Sequence, residues 1–244
     1  KLPDDLSANG SDFKKGQAYI VPTEQPQYRM VQTFFEPVKE FYDSVFYDAS
    51  AWTMALAYDM PYERVGSTAL GAEVTLHDLS HKRRNVEKAK YAYLFEWDEY
   101  LTPKAAYFLM RNGLRLKVAN QPFSLSERNY DRGTIMIPIQ NQGKTSDRIF
   151  ELIKTASAES GTAIYPAETG LTPSGIDLGS PNFSTLKKPK ILLLVDGGVS
   201  SYDAGEVWHL LDQRYHIPIT KMELDDVGRR ELDKYNVIVM VGGS

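Results

Sequence analysis

The residues best suited by type and spacing to do chemistry lie in "ILLLVDGGVSSYDAGEVWHLLD", Ile191 to Asp212. An apolar run ends at Asp196 and is followed by Gly197, Gly198, Ser200, Ser201, Glu206 and His209. A strand, a tight turn and a helix opening on serines would gather backbone amides and hydroxyls at one point, which suits an anion or a nucleophile. Phosphate binding by a P-loop needs G-x-x-x-x-G-K-[ST], where a Lys meets the phosphates. No Lys follows these glycines, and Asp196, Asp203 and Glu206 surround the first helical turn instead. Carboxylates there complement the helix dipole and repel a phosphate. The dinucleotide pattern G-x-G-x-x-G fails too, because Gly197 and Gly198 are adjacent and Gly205 is displaced. The stretch therefore reads first as a βα turn, with glycine for backbone freedom and Ser or Asp as the cap. If it holds a ligand, the residues in reach at the strand ends are Asp196, Gly197, Gly198, Ser200, Ser201, Glu206 and Gly242.

Nucleophilic hydrolysis needs Ser, His and an acid together, commonly with Ser in a G-x-S-x-G elbow. No elbow occurs, and His209 follows Ser201 by two helical turns, roughly 12 Å of axial rise. Among the four histidines, His77 and His81 stand four apart in "HDLSH". A zincin motif requires H-E-x-x-H, and Asp78 occupies the place of its general base. Three residues beyond the four histidines stand Ser80, Arg84, Asp212 and Ile219, so H-x-x-E is absent as well. The "HLLD" pair, His209 with Asp212, fits a helix flank better than a cleft. Cysteine is absent, which removes a thiolate nucleophile, a thiolate metal site and any disulfide within these residues. No catalytic residue, no metal ligand and no cofactor is assigned within the 244 residues.

The elements that must position these groups are those of an ordinary globular chain, with 42% hydrophobic and 25% charged residues. A net charge of −4 offers no basic stripe for nucleic acid, and the one dense run, "HKRRNVEKAK", is diluted by Glu87. No stretch approaches the roughly 18 apolar residues of a membrane span, and no signal peptide opens the chain. A lack of cysteine fits the cytoplasm, and fits a periplasmic protein without disulfides equally. The polar opening "KLPDDLSANGSDFKKG" and the closing "VIVMVGGS" suggest a piece of something larger.

Strands are expected at Gln17 to Val21, Tyr91 to Trp97, Leu114 to Val118, Gly133 to Ile139 and Thr162 to Tyr165. Helices are expected at Gln25 to Phe35, through "SVFYDASAWTMALAYDM" up to Pro61, from Pro103 to Met110, and from Asp147 to Ala158. This alternation predicts an α/β architecture with an open, largely parallel sheet flanked by helices over residues 1–168. Residues 169–189, "TGLTPSGIDLGSPNFSTLKKP", read as a linker or long connection, being rich in Gly, Pro, Ser and Thr. A second β-α-β unit then occupies 190–244, with strand Lys190 to Val195, helix Asp203 to Tyr215 and strand Ile217 to Glu223. A helical turn near Val227 to Leu232 and a strand from Asn236 to Val241 complete it.

Several phrases taken together carry a resemblance: "AYIVPTEQPQYRMVQTFFE", "FYDSVFYDASAWTMALAYDMPY", "YAYLFEWDEY", "GLTPSGIDLGSPNF" and "LLVDGGVSSYDAGEVWHLLDQRYHIPIT". They resemble the region after the catalytic domain in large bacterial zinc carboxypeptidase-like proteins, over nearly the whole chain. The resemblance implies a class I glutamine amidotransferase-like fold for the unit that begins near residue 189. It also implies an exported protein, periplasmic or extracellular, whose peptidase domain precedes Lys1 in the same chain and holds the zinc. The family's His-x-x-Glu pair and distant His have no matching positions here, so none is carried over. The amidotransferase nucleophile is a Cys in an elbow after a later strand, which would fall near or beyond Ser244 or be degenerate in this chain. The implied role is a non-catalytic accessory region that docks against the peptidase domain or shapes access to it. An amidotransferase-like hydrolase and a small-molecule-binding module are the alternatives.

Overall fold

The computed structural model describes residues 1–37, 53–58, 60–75 and 85–243. The chain divides into two compact units, Lys1–Ser80 and His81–Ser244. His77 and His81 and most of the aromatic segment before Trp52 lie outside the described residues.

The first unit opens with a hairpin of β1 (Leu6–Ala8) and β2 (Ser11–Phe13). Asn9 and Gly10 turn it, both at positive φ, as the tight hairpin turn with an Asn-Gly centre demands. Gln17 to Val21 is not the expected strand. Gln17 and Ala18 both donate to the Lys14 carbonyl in a turn, and Tyr19 and Val21 stay exposed. An alternating pattern makes a strand only where a neighbour supplies both hydrogen bonds and a face to bury. Helix α1 spans Tyr28–Phe35, starting later than expected, beyond Pro26. Of the segment expected to form a helix up to Pro61, the described residues include one turn, α2 (Met54–Ala57), whose preceding Thr53 hydroxyl donates to the Glu36 carbonyl.

The second unit runs β3 (Ala92–Phe95), α3 (Thr102–Arg111), β4 (Lys117–Ala119), β5 (Phe123–Leu125), β6 (Arg128–Tyr130) and β7 (Ile135–Pro138). It continues through α4 (Ser146–Ser160), β8 (Tyr165–Ala167), β9 (Ser174–Gly175) and β10 (Phe183–Thr185). Local chemistry explains the helix ends. Pro103 lies in the first turn of α3, the Thr145 hydroxyl accepts from Arg148 N at 3.3 Å, and Gly161 closes α4 at φ +74°.

The main sheet has the order β10-β4-β7-β3-β8, and every pairing in it is antiparallel. The expected parallel sheet flanked by helices is corrected here, although the broader α/β class stands. Strands β3 and β4 run the same way because both oppose β7, which lies between them; β7 and β8 likewise both oppose β3. Each β-α-β unit is therefore split by a strand of the other, the interlocked ferredoxin-like arrangement. Alternation in sequence gives the α/β class, but it could not show that a foreign strand is threaded into each gap.

Both faces of this sheet are covered. Tyr93, Phe95, Ile135 and Ile137 meet α3 and α4 through Ala105, Leu109, Ile149 and Ile153. Ala92, Leu94 and Met136 face the other way, onto Phe123, Leu125, Tyr130, Ile176, Leu178 and Phe183. That second cover is a small antiparallel sheet, β6-β5-β9, with the segment 169–189 folded over it. Residues 169–189 thus carry two strands of their own, β9 on β5 and β10 on β4.

Beyond it lies the expected β-α-β unit: β11 (Ile191–Val195), α5 (Ser201–Trp208) and β12 (Ile219–Glu223), then β13 (Val237–Val239). Its sheet, β12-β11-β13, is parallel throughout. After α5 the winding loosens to a π turn over His209–Arg214, where Tyr215 N donates to Leu210 O at 3.0 Å. A 3-10 turn, Leu224–Arg229, precedes the position expected for it. Tyr107 of α3 packs with Ile191 and Ile217, joining this unit to the helices of the main sheet.

Arg128 fastens the small sheet to the large one. Its guanidinium bonds Glu96 at 2.5 Å and lies 4.0 Å from the centre of the Tyr165 ring. Neighbouring Tyr130 stacks on Phe123 at 4.9 Å, and burial pushes its phenol up to about 12. A raised phenol pKa favours the neutral form in the folded state, so its contribution is complete below pH 10. It is lost as pH rises through about 12, because the unfolded chain ionises first. Urea denaturation between pH 9 and 12 is expected to show Tyr130→Phe losing on the order of 2 kcal/mol less than the parent chain. Equal slopes would show that Tyr130 does not control this loss.

Candidate functional site

Strand β11 is apolar because it is the middle strand of its sheet, with Leu192 and Leu193 fully buried. It delivers Asp196 to the carboxyl edge, where the chain reverses. Val199 N donates to Asp196 O at 3.2 Å, across Gly197 at φ +62° and Gly198 at φ +96°. A turn with both central residues at positive φ strongly favours glycine, which accounts for the pair without invoking a ligand. Asp196 itself sits at φ +54°, a region that Asp tolerates better than most side chains. Ser200 then caps α5, its hydroxyl accepting from Asp203 N at 3.4 Å.

The end of β13 closes on this turn. Ser200 N donates to Gly242 O at 2.8 Å, and Val199 bridges Gly243. A Cβ placed on Gly243 would stand 2.1 Å from the Gly198 carbonyl oxygen, so the approach requires glycine. Between the two strand ends lies an open hollow of about 580 Å³, lined by Gly198 to Asp203, Gly242 and Gly243. The chain leaves β11 towards β12 and later returns on the other side as β13, so the hollow occupies the switch point of the sheet. Open α/β sheets bind ligands at that position.

Of the residues expected to act together, Gly198, Ser200, Ser201 and Gly242 line the hollow. Asp196, Gly197 and Glu206 are not part of its lining. Gly197 faces the far side, where its missing Cβ would come 3.1 Å from Leu224 and 3.4 Å from an Asp225 carboxylate oxygen. Three lining residues fall outside the expected set, Val199, Tyr202 and Gly243, and Asp203, expected as a charge on the first helical turn, forms part of the wall. Repetition of Gly-Gly after two apolar strands was the signal for Gly243. Among the described residues no basic side chain lines the hollow, and Asp203 stands beside Gly242, so the surface suits a neutral or cationic polar group and opposes phosphate. His209 follows α5 at the start of the π turn, and the uninterrupted winding from Ser201 keeps it away from the serines.

A second open hollow, about 810 Å³, lies over Tyr91 between Glu168 and the loop from Thr169 to Ser180. Gly170 presses on the Tyr91 ring, and Glu168 pairs with Lys90 at 2.9 Å. Among the described residues, no group of three or more His, Asp or Glu side chains could hold a metal ion. No described helix is long and apolar enough to cross a membrane. No protein-family model matches the chain, and no curated protein or solved structure matches it.

Two glycine substitutions separate the demands of this region. Gly243→Ala drives a methyl into the Gly198 carbonyl and is expected to cost on the order of 2 kcal/mol. Gly205→Ala lies inside α5 with nothing within 4 Å, and is expected to stabilise by roughly 0.5–1 kcal/mol through helix propensity. Urea midpoints of the two variants should therefore move in opposite directions.

Proposed function

We propose that this chain is a non-catalytic accessory region of a secreted zinc carboxypeptidase-like metallopeptidase, docking against the peptidase domain of the same polypeptide or shaping access to it. The observation that carries the reading is helix α1. Tyr28, Met30, Val31, Phe34 and Phe35 recur at helical spacing, yet no residue of the helix is buried. Short helices draw most of their stability from packing an apolar stripe, so a stripe of this kind is built to be covered. Leu56 and Met60 add further exposed apolar side chains in the same unit, at 61% and 55% exposure. The resemblance of the quoted phrases is what makes the peptidase domain the covering partner in this proposal. Zinc belongs in this proposal to the peptidase domain; the described residues offer no donor set for it. The amidotransferase-like character proposed for the unit from residue 190 rests on the quoted phrases; its parallel order β12-β11-β13 is common to many α/β units.

The purified chain is expected to retain far less than one zinc per molecule by elemental analysis and to release no C-terminal amino acid from peptides. Stoichiometric zinc or measurable release overturns the non-catalytic assignment. A hydrophobic dye should bind the chain, and Phe34→Glu should reduce that binding while leaving the circular dichroism unchanged, since Phe34 is 41% exposed. Unchanged dye binding would remove α1 as the docking element.

A second reading, a small-molecule-binding module, is favoured by the hollow at the switch point. A ligand there should raise the melting temperature saturably, and Ser201→Trp, which fills the hollow, should abolish the rise. Flat melting curves across a broad metabolite library would dismiss it.

A further inference from the structure

We draw no further inference here: the strongest candidate, the hollow between the carboxyl ends of β11 and β13, belongs to the site already described and rests on the N-terminus of α5 and a neighbouring carboxylate, with no second feature that points to a particular ligand.

Discussion

The burial of β3 and β7 on both faces is the constraint on which most of the second unit depends. Residues 92 to 95 of β3 are fully buried, and Ile135, Met136 and Ile137 of β7 nearly so. A strand with apolar groups on both sides needs two covers, and the chain builds them from different materials. Helices α3 and α4 close one side, while the other receives the β6-β5-β9 sheet and the segment up to Phe183. Removing either cover would expose a continuous apolar surface to water, at roughly 25 cal/mol for each Å² uncovered. The polar fastening by Glu96 and Arg128 comes second to this. Its ion pair is partly exposed, and its worth lies in orienting the small sheet rather than in net energy.

The parallel unit obeys a different constraint, the close approach of two backbones. Gly243, whose Cβ would stand 2.1 Å from the Gly198 carbonyl oxygen, lets the segment after β13 come against the turn after β11. Ser200 links the arrangement to α5 twice, accepting from Asp203 through its hydroxyl and donating to Gly242 through its amide. The hollow at this edge follows from the strand order. Its lining of serine hydroxyls and the Asp203 carboxylate limits the ligands it suits. On α1, Phe35 meets the Tyr62 ring at 5.5 Å, while Tyr28, Met30 and Phe34 remain exposed.

Periodicity located most of the helices and strands of the second unit because they are long or strongly apolar, as in "YAYLFEW" and "RIFELIKTASA". It missed β5, β6, β9 and β10, each of two or three residues, which are strands only because a partner lies beside them. It failed at Gln17 to Val21 for the same reason, in the opposite sense. The split β-α-β order left no local trace, since nothing in β3 or β4 records that β7 will lie between them.

The sequence by itself determined the absence of thiol chemistry, the mismatch between Asp196, Asp203 and a phosphate, and the glycine turn with its serine cap. Those are matters of composition, charge sign and backbone freedom, all of which act within a few residues. Only the tertiary structure decided that the main sheet is antiparallel and that Gly243 meets Gly198. It alone also decided that Gly197 and Glu206 stay out of the hollow that Ser201 and Gly242 share. These depend on contacts between residues far apart in the chain, where strand pairing and burial select among arrangements that local preferences leave equal.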